Sequence, residues 1–299
     1  MKNAKNLKKR QEVNFISLFS GCGGSSLGYS LLGFKSLLAV DINPICVKNY
    51  ELNFPNSKVL LGNLSEISFN EILQIINLSK GELDFLDASP PCQGFSMAGK
   101  REVLDKRNEL IFDTVKKIGE IYPKVFLIEN VDGLIKGSMV GVFNEVFSSL
   151  QELGYNVRWK SLNSIYYGVP QSRQRVLIIG YRNDLGITPR FPEPDKEITL
   201  IGDVIENLDF HSRGQFDKRL KNKNSLAYTL TKTPSMFFVK NGVKVKPTID
   251  ELKILQGFPE WFKFEGSYTD IWGLIGNSVP PPLSYRVGKV IKEDLSSLI

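Results

Sequence analysis

The sequence predicts an α/β fold: a mostly parallel sheet layered with helices and joined to a second, smaller domain. Three observations carry that expectation. From residue 14 to about 182, short apolar runs alternate with stretches of helical apolar spacing, the pattern of βα units. The first run opens into a glycine-rich turn, Phe19-Ser20-Gly21-Cys22-Gly23-Gly24. Beyond Arg182 the chain becomes Pro-rich, then polar and basic.

Each element follows from its own residues. Strands are predicted over 14–19, 36–40, 58–61, 83–86, 124–128, 155–162 and 175–180, where aliphatic, β-branched and aromatic residues cluster. Helices are predicted between them, over 26–32, 44–53, 69–78, 108–122 and 140–153, where apolar residues recur every three or four positions. Thr188-Pro189-Arg190-Phe191-Pro192-Glu193-Pro194 reads as a linker. The region that follows, to about residue 245, interleaves Arg213, Lys218, Arg219, Lys221, Lys223, Lys232, Lys240 and Lys244 with Phe and Tyr. Residues 281–298 regain helical spacing and are expected to pack back on the first domain.

The composition narrows the chemistry. A chain of 299 residues can bury the core of one large domain and a smaller one. With 42% hydrophobic and 23% charged residues it is an ordered globular protein rather than a disordered one. A net charge of +6 suits a polyanionic partner, although Lys2, Lys5, Lys8, Lys9 and Arg10 equally fit a solvated basic tail. Cys22, Cys46 and Cys92 form neither a CxxC pair nor a disulfide framework, so no metal and a reducing, cytoplasmic location are expected. No apolar run approaches the ~18 residues of a membrane span, so no membrane association is expected. His211 is the single histidine, which leaves little room for Cys/His or Ser/His catalysis and turns attention to carboxylates, arginines and a thiol.

Several residues are candidates on chemical grounds. The glycine turn lets backbone approach a ligand at a helix N-terminus; a bare tight turn or a dinucleotide site are alternatives. Asp41, about 20 residues on, can accept from a ribose diol or serve as a helix cap ahead of Asn43-Pro44. Cys92 follows Asp87-Ala88-Ser89-Pro90-Pro91 at the C-terminal end of a predicted strand, where α/β proteins place reactive groups. Glu129 ends an apolar strand, as a buried acid or as a strand-end cap. Arg173 and Arg175, two residues apart, would share one face of an extended chain and reach one site, or form a solvated edge.

Pro90-Pro91-Cys92-Gln93 resembles the nucleophile motif of DNA (cytosine-5)-methyltransferases, and other segments fall in that family's order. They are residues 19–28, Asp41, Glu129-Asn130-Val131, Gln171-Ser172-Arg173-Gln174-Arg175, Leu255-Gln256-Gly257-Phe258-Pro259 and Gly276-Asn277-Ser278-Val279-Pro280. The resemblance spans about residues 13–295 and implies a Rossmann-like S-adenosylmethionine-dependent methyltransferase sheet with a smaller target-recognition domain. It divides the chain into a basic tail (1–12), a catalytic and cofactor-binding domain (13–187), the recognition domain (188–247) and a return segment (248–299). The implied partner is double-stranded DNA, bound by a monomer, and the implied cofactor is S-adenosyl-L-methionine. Restriction-modification or orphan modification is the implied setting.

The same resemblance assigns roles. Cys92, Glu129, Arg173 and Arg175 would be catalytic, with Arg175 at the base and Arg173 supporting the pocket. Phe19, Gly21, Gly23, Gly24, Asp41, Ile42, Asn63, Leu64, Pro91, Leu110, Asn277 and Ser278 would bind the cofactor. Gln93, Ser96, Arg107, Gln171 and Thr229 would meet DNA. The pattern departs in places: Gly62-Asn63-Leu64 stands where the family carries Gly-Asp, and Lys246 and Ile254 stand where it carries arginines. An RNA cytosine-5 methyltransferase, an idle DNA-binding homologue and a nucleotide-binding oxidoreductase are the competing readings, the last two disfavoured by the intact candidate set and by Pro-Pro-Cys-Gln.

Overall fold

The structure, a computed structural model, describes residues 12–91, 109–213 and 220–298. Strands β1 (Asn14–Leu18), β2 (Lys35–Asp41), β3 (Lys58–Leu61), β4 (Phe85–Ala88), β5 (Val125–Val131), β6 (Tyr155–Asn163) and β7 (Gln174–Arg182) form one sheet in the order β3-β2-β1-β4-β5-β7-β6. The first five run parallel, while β7 lies antiparallel to both β5 and β6.

Period-two alternation sends each strand into two cores. Ile16, Leu18, Leu86 and Ile128 face one; Phe15, Phe85, Val125 and Leu127 face the other. Both faces are therefore covered, which is why the strands read as unbroken apolar runs. Helices α3 (Phe69–Ile76), α4 (Glu109–Ile121) and α5 (Val140–Glu152) supply the first core. The second is closed by α1 (Gly24–Ser30) and α8 (Pro281–Ser296). These two helices meet almost backbone to backbone: a Cβ on Gly28 would lie 2.2 Å from Ser284 Oγ and 2.5 Å from the Tyr285 nitrogen.

A four-stranded antiparallel sheet follows, ordered β11-β10-β8-β9, from β8 (Leu208–Arg213), β9 (Lys221–Asn222), β10 (Met236–Lys240) and β11 (Val243–Val245). Two further helices, α6 (Ile249–Gln256) and α7 (Tyr268–Asn277), each open on a capping box, Thr248 with Glu251 and Ser267 with Asp270. Leu208, Phe238, Leu252, Phe262 and Trp272 pack with Tyr50 of α2 (Pro44–Asn53), with Phe54 just after it, and with Cys22 and Leu27. The small sheet thus shares a core with the glycine loop. No helix among the described residues is long and apolar enough to cross a membrane.

Candidate active site

Strand order reverses between β1 and β4, and the crevice beyond their C-terminal ends is where open α/β sheets bind ligands. Five strand ends deliver side chains there: Phe19 to Gly24 after β1, Asp41 and Ile42 after β2, Gly62 and Asn63 after β3, Ser89 to Pro91 after β4, and Glu129 to Val131 on β5.

The glycine loop is tied to β2 by the Asp41 carboxylate. Its Oδ2 accepts from the Gly21 nitrogen at 2.8 Å and its Oδ1 from the Asn43 nitrogen at 2.9 Å. Asn43 is the N-cap of α2, accepting from the Ile45 nitrogen, so the capping alternative for Asp41 falls away. Burial raises the Asp41 pKa, against the three backbone hydrogen bonds that lower it. Gly21 has φ +56° with nothing within 4 Å of an added Cβ, so one side of the loop is open. Ile42 is 66% exposed beside Asp41. The buried hydroxyls of Ser20 and Ser89, at the ends of the two central strands, find no partner among the described residues.

On the other side of the switch point Glu129, 8% exposed, pairs with Arg175: Nε to Oε1 is 2.7 Å. The adjacent Asn130 donates from Nδ2 to the Pro90 carbonyl at 3.3 Å and accepts the Val131 nitrogen at 2.8 Å. The acid's strand is thereby bonded to the loop two residues before Cys92. Cys92, Gln93, Ser96 and Arg107 themselves lie outside the described residues.

The family model of C-5 cytosine-specific DNA methylases matches residues 13–246 and 237–293. The chain belongs to this family. Its activity is that of a DNA cytosine-5 methyltransferase. The Type II methyltransferase M1.HphI of Haemophilus parahaemolyticus is 32% identical, with 93% of this chain and 86% of that protein aligned. M.XorII of Xanthomonas oryzae pv. oryzae, also a Type II methyltransferase, is 30% identical over 94% and 84%. Among solved structures, a prophage-encoded E. coli protein described as a DNA modification methyltransferase superposes with a TM-score of 0.80 at 22% identity, covering 95% of this chain and 99% of that one. That likeness, and the TM-score of 0.73 to Spodoptera frugiperda DNMT2 at 20% identity over 94% and 99%, concern the fold.

Within this methyltransferase several of the expected site residues bond to the protein's own interior. Arg175 lies on β7 paired with Glu129, and Arg173 lies just before the strand, within reach of the charges of both. Arg173 is 3% exposed and turns inward, donating from Nη1 to Leu230 O (2.8 Å) and from Nη2 to Gly276 O (2.9 Å) and Ser278 O (3.1 Å). Burial lowers its pKa. Gln171, expected at DNA, is 0% exposed: Nε2 donates to Leu255 O and Gln256 Oε1, and Oε1 accepts the Leu230 nitrogen. Ser278, expected at the cofactor, spends its hydroxyl on Leu274 O and Cys22 Sγ. Gly24 faces Val279 O and Ser278, Gly23 faces the Phe54 ring, and Leu64 is 3% exposed in the main core. These residues build the crevice from behind.

Other expected residues lie at accessible positions. Asn277 and Pro91 are exposed, and Leu110 is half-buried in the first turn of α4. Asn63 accepts from the Ser65 nitrogen and donates to Glu66 Oε1, so its amide oxygen keeps one lone pair free. Thr229 Oγ1 donates to Ser172 O at 2.5 Å, joining the segment between β9 and β10 to the arginine segment. Two site-adjacent residues went unread in the sequence. Asp87 is a buried carboxyl at the end of β4, and Cys22 is a buried thiol whose pKa burial pushes up to about 12. A strand-interior Asp amid apolar neighbours was the available signal for the first.

Proposed function

We propose that this chain methylates carbon 5 of a cytosine rotated out of duplex DNA, within a short specific sequence, using S-adenosyl-L-methionine and Cys92 as covalent nucleophile. The observation that carries the reading is the buried Glu129–Arg175 pair, held beside the Pro90-Pro91 loop through Asn130. The open side of Gly21, the free hydroxyls of Ser20 and Ser89, the exposed Ile42 and the Asp41 carboxylate fit a nucleoside with an amino-acid tail. When bound, S-adenosylmethionine supplies an electrophilic methyl group.

The chain's own residues do the rest. Cytosine C5 is a weak nucleophile, and addition of the Cys92 thiolate to C6 converts the ring to an enamine that can take the methyl at C5. Glu129 relieves the charge that builds at N3 by proton donation or hydrogen bonding, and Arg175 holds that carboxyl in place while offering donors to the base O2. Loss of the C5 proton and expulsion of the thiolate restore the aromatic ring and the free cysteine. The reacting face is hidden in a stacked duplex, so the base is turned out at a cost of a few kcal/mol. Lys221 over the Tyr228 ring and Lys244 over the Phe237 ring give the small sheet fixed positive charge for the backbone. The setting we infer is sequence-specific modification, in keeping with relatives named as Type II methyltransferases.

Transfer of labelled methyl from S-adenosylmethionine to unmethylated duplex DNA, with mapping of modified cytosines, tests this directly. Methylated C5 at one short motif is the expected result. Transfer to tRNA alone, or to neither acceptor, would overturn it.

A further inference from the structure

We propose that Asp87 is a positioning residue whose ionised carboxylate fastens the glycine loop and helix α1 to strand β4, so that cofactor affinity depends on its charge. The inference rests on the cofactor reading above. Asp87 is 1% exposed. Its Oδ2 accepts from Ser25 Oγ at 2.7 Å and Ser17 Oγ at 3.1 Å, and its Oδ1 from Tyr29 OH at 3.0 Å. Ser17 belongs to β1, while Ser25 and Tyr29 stand one turn apart on α1, the helix that the glycine loop opens.

Stability alone does not account for this arrangement. No basic side chain among the described residues bonds to Asp87, so hydroxyl dipoles alone hold a buried charge, where an apolar contact would tie helix to strand more cheaply. Three donors converge on a group that only accepts when ionised. Protonation puts a donor among them and obliges a hydroxyl to turn away. Burial raises the Asp87 pKa to about 6; the three hydroxyls act against that shift and the Glu129 charge adds to it. The titratable groups that face it are Tyr29 from α1, Tyr50 from α2 and Glu129 from β5, the last paired to Arg175 of β7.

Two signs then separate positioning from scaffolding. A carboxyl whose folded pKa lies above its unfolded value makes the folded chain more stable when protonated, and that contribution is lost as pH rises through about 6. Asp87→Asn, the neutral isostere, should therefore melt no lower than wild type at pH 7.5. Cofactor grip runs the other way, complete when Asp87 is ionised and weakened as pH falls through about 6.

Calorimetric titration of the full chain with S-adenosylmethionine between pH 5 and 8, with melting curves alongside, tests the inference. Asp87→Asn is expected to bind about tenfold more weakly at pH 7.5, the loss of roughly one charge-assisted hydrogen bond. The component of the wild-type profile centred near pH 6 should vanish in the variant, while the Asp41 contribution stays in both. Tyr29→Phe removes one donor to the charged form and should move that midpoint upward. Wild-type affinity and profile in Asp87→Asn, or a lowered melting temperature with the profile unchanged, overturns the inference. If Asp87→Asn fails to fold, an unmoved midpoint in Tyr29→Phe overturns it. Wild-type protein that shows these shifts but methylates no DNA strikes the substrate reading alone; protein that methylates DNA without them strikes this inference alone.

Discussion

Replacing Arg173 with alanine asks whether an interior arginine braces the site or works in it. Its guanidinium makes three hydrogen bonds, to the carbonyls of Leu230, Gly276 and Ser278, and so joins the segment between β9 and β10 to the end of α7. Bonds from a charged donor are worth about 1.5–3 kcal/mol each, roughly 4.5–9 kcal/mol together. Against this stands the desolvation of a buried cation with no carboxylate partner among the described residues and an Nε that finds no acceptor, a cost of several kcal/mol. The net is about 2–4 kcal/mol, a fall in Tm of about 4–16 °C at roughly 2–4 °C per kcal/mol. Scanning calorimetry without cofactor or DNA measures it. Arg175→Lys is the control: it keeps a cation beside the buried Glu129 carboxylate but loses the planar donor fork, so methyl transfer should fall by about 10-fold or more while Tm moves by only a few degrees. Arg173→Ala melting with wild type would refute the reasoning.

Three further outcomes are expected. Cys92→Ser should abolish methyl transfer and leave S-adenosylmethionine binding intact by calorimetry; retained turnover would contradict a covalent role. Gly28→Ala puts a methyl 2.2–2.6 Å from Ser284 Oγ, the Tyr285 nitrogen and the Pro281 carbonyl, and should cost about 3 kcal/mol in urea unfolding, whereas Gly141→Ala on open surface of α5 should cost nothing. His211 is fully buried with Nε2 on Ser225 Oγ, and burial with the Lys221 charge lowers its pKa to about 4. Its stabilisation is complete above the unfolded value near 6.5 and lost as pH falls toward 4, so fluorescence melts should drop over that window more in wild type than in His211→Gln. Equal slopes would refute it.

Much of the main sheet was legible because strands buried on both faces leave continuous apolar runs. Residues 83–86 and 124–128 marked β4 and β5, which extend to Ala88 and Val131 because polar Asp87, Glu129 and Asn130 still pair in the ladder. Polarity ended the reading, but hydrogen-bonded register carried the strand on. The small sheet was harder. β9 is two residues long and β11 three, too short for alternation to show against a basic background. Helices α6 and α7 do not stand out by apolar spacing, although Thr248-x-x-Glu251 and Ser267-x-x-Asp270 announce them.

The candidate site was legible as a set of residues but not as a division of labour. A polar residue in a reactive-looking motif reads the same whether it meets a ligand or a buried carbonyl, since both call for the same donors. Gln171 and Ser278 read as ligand contacts and Arg173 as a support of the pocket, yet Gln171 and Arg173 both bond to the backbone of Leu230, and Arg173 also to Gly276 and Ser278 at the end of α7. Cys22 continues that line into the glycine loop through Ser278. Both segments carry exposed or half-buried side chains, Thr229 on one and Asn277 on the other, so their mutual position fixes what can reach the crevice. Interior donors, each with little flexibility left, hold that position, and a change there should disturb cofactor and DNA binding together, whereas a change at Arg175 should disturb the chemistry alone.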